Sequence, residues 1–191
     1  MPKILAFAGS TRKESINGKL LKVAVAAAQQ AGADITLIDL ADYPMPLFDQ
    51  DLEASEGLPD GARQLKQLMV EADGFLIASP EYNSAFSPLL KNVIDWASRA
   101  EAADEPPLAA YRGKVAAIIA ASPGALGGLR GLVFLRMLLG NLGVLVIPEQ
   151  QAVSFGFKAF ADDGSLEDER NQAGVTRVVT SLVTMLNSLH G

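Results

Sequence analysis

The chain has 191 residues, 49% of them hydrophobic, enough for one well-buried domain spanning residues 1–191. It has no cysteine, which excludes disulfides, thiolate nucleophiles, zinc–thiolate sites and iron–sulfur clusters. A net charge of −6 without a basic patch argues against nucleic acid as a partner, and no apolar run approaches the roughly 20 residues that cross a membrane.

The opening Met1-Pro2-Lys3-Ile4-Leu5 lacks the apolar core of a signal peptide, so a cytoplasmic location is expected. The single histidine, His190, reads as a tail residue, which makes a Ser-His-Asp triad or a histidine-based metal site improbable. Lys3 to Ala8 predicts a first strand, buried on both faces given its unbroken apolar content. Gly9 to Gly18 follows as a polar loop, and Gly18 to Ala31 as a helix closed by Gly32. Asp34 to Leu40 alternates apolar and polar residues, as a strand near a sheet edge does.

Ala41 to Gly61 reads as a long irregular acidic stretch with Pro44, Pro46 and Pro59. Its Asp49 and Asp51 lack the spacing and glycine of an EF-hand. In the helix Ala62 to Ala72, Leu65, Leu68, Met69 and Ala72 form one stripe, and Met69 belongs to the core. Gly74 to Ser79 is the third strand. A helix from Leu89 to Arg99 follows, with Pro88 in its first turn, Ser87 as its N-cap, and Leu90, Val93, Ile94 and Ala97 on one face.

Beyond the charged loop Glu101 to Pro107, Lys114 to Ala121 is the fourth strand. The glycine-rich Ser122 to Gly128 opens a helix reaching about Asn141. Val144 to Ile147 is the fifth strand, stopped by Pro148. Gln150 to Asp163 reads as irregular and Ser165 to Leu189 as a final helix, with Val175, Val178, Val179, Leu182, Leu186 and Leu189 in its stripe.

Alternating strands and helices predict an α/β fold, an open, doubly wound, five-stranded parallel sheet with helices on both faces. In such sheets ligands sit beyond the carboxyl ends of the strands, at the switch in strand order. The loops 9–17, 79–87 and 122–128 all lie on that edge.

The first loop opens a helix, and a helix start offers unpaired N–H groups and the positive dipole end to a phosphate. Ser10, Thr11, Ser15 and Asn17 add neutral donors and Arg12 a charged fork. The competing reading is an ordinary strand-to-helix connection capped by Ser15 or Asn17. Other nucleotide motifs fail here: Thr11 breaks Gly-x-Gly-x-x-Gly, and Lys13 and Leu20 break a Walker loop.

The second loop sets the flat faces of Tyr82 and Phe86 among Pro80, Glu81, Asn83 and Ser84, which suits a planar heteroaromatic ring with a polar edge. Phe86 reads equally well as a core residue, and Glu81 as a solvated turn residue or backbone contact. Gly124, Gly127 and Gly128 in the third loop let backbone approach a ligand. A phosphate pocket and a ring pocket on one edge describe a mononucleotide, and FMN fits.

Three runs carry a resemblance: Gly9-Ser10-x-Arg12-x-x-Ser15-x-Asn17; Pro80-Glu81-Tyr82-Asn83 continuing into Leu90-Lys91-Asn92-x-Ile94-Asp95-Trp96; and Ser122-Pro123-Gly124-x-x-Gly127-Gly128-x-Arg130. Over nearly the whole chain the sequence resembles the NADPH-dependent FMN reductase family of flavodoxin-like proteins, which includes quinone, chromate and azo-dye reductases. The resemblance implies a flavodoxin-like sheet of order 2-1-3-4-5.

It implies that Ser10, Arg12, Ser15 and Asn17 hold the FMN phosphate, with Ile16 among the cofactor-binding residues. Pro80, Glu81, Tyr82, Asn83 and Ser84 would meet the isoalloxazine, mainly through backbone groups, and Ser122 and Gly124 would line its other side. It further implies a homodimer or homotetramer with FMN near the subunit boundary. Arg130 and Glu149 resemble inter-subunit contact residues of some relatives; Val133 stands where an aromatic can accompany Arg130, which favours the dimer.

The implied reaction passes hydride from NADH or NADPH to the flavin. Electrons then go to a small molecule: a quinone, azo compound, metal oxyanion or free flavin. The alternatives are a flavodoxin-like electron carrier without its own NAD(P)H turnover and a non-flavin binding module on the same fold.

Overall fold

From Ile4 onward, strand β1 (Lys3–Ala8) is apolar and buried, because helices cover it on both sides. A computed structural model describes residues 1–190 except the side chain of His190, so the tail reading of that histidine falls outside the described side chains. After β1 come α1 (Ile16–Gln30), β2 (Asp34–Leu37), α2 (Gln50–Glu56), α3 (Asp60–Glu71) and β3 (Gly74–Ala78). A hairpin of β4 (Glu81–Tyr82) and β5 (Ala85–Phe86) leads to α4 (Pro88–Ala97). Then follow β6 (Val115–Ala121), α5 (Leu129–Asn141), β7 (Leu145–Val153) and α6 (Glu169–His190).

The main sheet runs β2-β1-β3-β6-β7 with every neighbouring pair parallel, the flavodoxin-like order expected once its five strands are counted alone. Alternation along β1 divides the core. Ile4, Ala6 and Ala8 face α1 and α6, where Leu20, Ala24, Val178 and Leu182 are fully buried. Leu5 and Phe7 face the opposite layer, built from Leu65 and Met69 of α3, Leu90, Val93 and Ile94 of α4, and Leu132 and Leu135 of α5. The expected stripes lie in these layers, but Leu68 is only half-buried and Leu189 is 58% exposed.

Several expectations about elements change. The stretch 41–61 is not irregular throughout: it holds α2, whose N-cap Asp49 accepts from the N–H groups of Asp51 and Leu52 at 2.8 and 3.1 Å. Asp49 is thereby a helix cap. The segment before it is fastened to α4: Asn92 donates to the Pro46 carbonyl and accepts from Phe48 N–H, Trp96 Nε1 donates to Pro46, and the Phe48 and Trp96 rings meet edge to face.

Pro148 does not stop β7. The register jumps from Ala116 opposite Val146 to Ile118 opposite Gln150, so the proline sits in a bulge where its missing N–H costs no ladder bond, and pairing resumes through Val153. Residues 150–153, expected to be irregular, are therefore strand. At the other edge β2 ends at Leu37, three residues early.

Candidate functional site

The loops after β1, β3 and β6 lie side by side because β3 is bonded to both β1 and β6. The first begins at Gly9, whose N–H donates to Ala78 O and whose carbonyl accepts from Ser87 Oγ at 2.6 Å. A methyl group on Gly9 would come within 3.1 Å of both Leu90 Cβ and Pro80 Cδ, so any larger residue there has to push the hairpin and α4 back by a few tenths of an ångström. Ser10 is half-buried, and its Oγ accepts from Arg12 N–H at 3.4 Å.

Ser15 is the N-cap of α1, which therefore starts two residues before the expected Gly18. Its Oγ accepts from Gly18 N–H at 3.2 Å. The N–H groups of Ile16 and Asn17, at the first two helical positions, keep no carbonyl partner within the helix and point out of its positive end. Arg12 is exposed and has no carboxylate within 4 Å among the described residues. Glu14 is neutralised by Lys19 at 3.0 Å; that hydrogen bond and charge hold its carboxyl below the usual range. The loop thus keeps a guanidinium outside any salt bridge, its charge also acting on Glu14, beside N–H groups with no partner in the helix. A cavity of about 360 Å³ lies against Ser10, Arg12 and Ser15 and opens toward Leu37 to Asp39 at the end of β2, away from the hairpin.

The side chains of Ile16 and Asn17 point inward. Ile16 is buried and reaches Gly156, where a methyl group would lie 2.7 Å from its Cδ1. Asn17 is 2% exposed, and its amide is bonded on both sides to Ala121: Nδ2 donates to the carbonyl and Oδ1 accepts from the N–H, each at 2.9 Å. Of the two residues, it is the backbone N–H groups that face the loop.

The second loop is a hairpin. Asn83 and Ser84 both have positive φ, 52° and 70°, the two central positions of a type I′ turn. Pro80 is buried, Tyr82 is 54% exposed, Asn83 is exposed and Ser84 half-buried. Phe86 packs against the core. Glu81 departs from the solvated reading: its side chain is 9% exposed and gripped by α5. Its Oε2 accepts from Gly131 N–H at 3.0 Å and its Oε1 from Arg130 at 2.9 Å, a carboxylate seated on a helix N-terminus. Arg130, expected at a subunit contact, is thus paired within its own chain.

In the third loop Ser122 is half-buried and continues the sheet, donating to Val153 O and accepting from Gly156 N–H at 2.9 Å. Gly124 is exposed, with nothing closer than 3.9 Å to a methyl group placed there, so this part of the edge is open. Gly127 has φ 62° and lies so near Val153 that a methyl group would be 2.7 Å from its carbonyl carbon.

Sequence reasoning missed the segment after β7. Phe155 N–H donates to Gly124 O, and Phe155 and Phe157 are 60% and 70% exposed. The available signal is Phe155-Gly156-Phe157, two aromatics around a glycine at a strand end, a position hidden when Pro148 is taken as the end of β7.

The predicted residues therefore fall on one edge, with Ser10, Arg12 and Ser15 in the first loop, Pro80 to Ser84 in the hairpin, and Ser122 and Gly124 in the third. They fit a flavin mononucleotide in kind: a cationic helix start with free N–H groups for phosphate, then an open edge with an exposed tyrosine for a flat ring. Among the described residues no cluster of three or more carboxylates or histidines could hold a metal.

A family model described as NADPH-dependent FMN reductase matches residues 2–158. The chain is 33% identical to an NAD(P)H-dependent FMN reductase of Pseudomonas aeruginosa, covering 99% of this chain and 97% of that one. It is 34% identical to an NADPH:quinone oxidoreductase of Arabidopsis thaliana, covering 99% and 94%. The solved structure of FerB, a flavoenzyme NAD(P)H:(acceptor) oxidoreductase from Paracoccus denitrificans, superposes with a TM-score of 0.83 at 28% identity over 98% of both chains.

Proposed function

The chain belongs to the NADPH-dependent FMN reductase family, and on that premise we propose that it is an FMN-dependent NAD(P)H oxidoreductase reducing quinones and related small acceptors. The observation that carries this reading is the meeting of Arg12, which forms no salt bridge, and the N–H groups of Ile16 and Asn17 with the Tyr82 hairpin on one sheet edge. FMN supplies the redox chemistry: hydride acceptance from NAD(P)H and electron delivery to the acceptor.

The chain's own residues bind and orient. Ser10, Arg12, Ser15 and the start of α1 hold the phosphate. Pro80 to Ser84, Ser122 and Gly124 bracket the ring. The openness at Tyr82 and Gly124 leaves a face for the nicotinamide, and no acid–base residue is needed at that step. Quinones lead the acceptor list because relatives carry that name; azo compounds, metal oxyanions and free flavin are further candidates.

The exposed face of α5 supports self-assembly. Leu129, Val133 and Met137, at i, i+4 and i+8, are 42%, 58% and 58% exposed, with Phe134 beside them at 44%. Such a stripe suits a second copy, and a homodimer is proposed, with a homotetramer the larger option. No helix among the described residues is long and apolar enough to cross a membrane. The lack of cysteine fits a reducing cytoplasm.

Purified protein should be yellow and should oxidise NADPH or NADH when given a quinone. Flavin without turnover would identify an electron carrier, and a colourless protein that takes up no FMN would refute the reading.

A further inference from the structure

We propose that Asn17 is a positioning residue for the flavin site, an extra rung of the sheet rather than a phosphate ligand; this rests on the FMN reading above. Residues along a parallel strand turn their N–H and C=O groups to alternate neighbours. Ile119 O accepts from Ser79 N–H on the β3 side, while Ser122 N–H donates to Val153 O on the β7 side. Ala121 therefore faces the β3 side. There β3 has ended, at Ala78 opposite Ile119, and the chain turns away through the buried Pro80.

Without a partner, both polar groups of Ala121 would be buried and unpaired. The Asn17 amide supplies one donor and one acceptor, the pattern of a missing peptide, at 2.9 Å on each side. A carboxylate lacks the donor, and an apolar side chain lacks both.

The rung joins two parts of the site distant in sequence. Asn17 is the second residue of α1, directly beyond the phosphate loop, and Ala121 immediately precedes Ser122. Ser122 in turn accepts from Gly156 N–H, whose Cα lies against Ile16. The start of α1 is thereby held in register with the loop assigned to the ring. Loss of the amide displaces ring and phosphate sites together, whereas loss of a phosphate ligand weakens the phosphate site alone.

The test compares FMN with riboflavin, which lacks the phosphate, by flavin fluorescence titration and visible-region circular dichroism. In Asn17→Ala both affinities should fall by a similar factor, about tenfold, and the dichroism of the bound flavin should change. Weakening of FMN with riboflavin unchanged would overturn the proposal, as would no change in either.

A second measurement uses the unaltered chain, so a poorly folding variant does not decide the matter. Hydrogen exchange at Ala121 N–H should stay slow with and without FMN. Faster exchange on FMN binding would mean that the amide leaves Ala121 for the phosphate, and would also overturn the proposal. Failure of the unaltered chain to take up either flavin would refute the FMN reading instead, and Ala121 exchange in Asn17→Ala against the unaltered chain would still decide the rung: faster exchange in the variant supports it, equal exchange overturns it.

Discussion

Replacing Ser87 by alanine removes one hydroxyl with two partners. Ser87 is 2% exposed; its Oγ accepts from Leu90 N–H at 3.2 Å as the N-cap of α4 and donates to Gly9 O at 2.6 Å. Loss of an N-cap costs about 1 kcal/mol. The Gly9 carbonyl, whose bond to Ser87 is buried, would also lose its partner where water has little access, a further loss of about 1–3 kcal/mol. Together these make about 2–4 kcal/mol, or about 4–16 °C in Tm for a chain of this length. Urea unfolding followed by far-ultraviolet circular dichroism reads the difference from the shift in midpoint at constant slope. A loss below about 1 kcal/mol would show that the Gly9 carbonyl is satisfied another way and that Ser87 does not tie the first loop to the hairpin.

Arg12→Ala should weaken FMN about tenfold and leave riboflavin affinity and the bound-flavin spectrum unchanged; equal FMN affinity in calorimetry would remove Arg12 from the phosphate site. Lys66, 3% exposed, donates to Glu105 and to the Arg99 carbonyl, each at 2.7 Å. Burial alone would raise the Glu105 carboxyl, but the Glu101 N–H and the hydrogen bond and charge of Lys66 outweigh it and hold the pKa below the usual value. A depressed folded pKa gives stability that is present above about 4.3 and is lost as pH falls through the folded value. Lys66→Met should therefore lower stability at pH 7 and flatten its loss between neutral and acid pH; unfolding curves parallel to the parent's at every pH would contradict this. Val133→Glu should shift sedimentation equilibrium toward the monomer, and an unchanged assembly would place the interface elsewhere.

The legible parts of the fold were those in which burial writes a pattern into neighbouring residues. Strands β1, β3 and β6 are covered on both faces, so their apolar runs are unbroken, and α4 shows its buried stripe. Helix α2 has no fully buried residue, so no periodicity marks it; the Asp49 cap, the Glu53–Arg99 pair and Leu52 packed beside Trp96 hold it. Pro148 misled because its incompatibility with a sheet ladder vanishes in a bulge, which depends on the partner strand.

The loops of the site were legible because their glycines, prolines and small polar residues follow strand ends. The work of single side chains within them was not. Asn17 meets Ala121 across 104 positions and Glu81 meets Gly131 across 50, and nothing local in the sequence names such partners.

Helix α5 has hold of the hairpin on its inner side through Glu81, while its outer side carries the bare apolar stripe. In the proposed dimer this makes it a lever whose two arms are subunit docking and flavin fit. A substitution on the outer arm would be transmitted to the tyrosine hairpin without touching it. Flavin retention in dilute solution would then track assembly, and tuning of the redox site could begin at residues that never meet the ring.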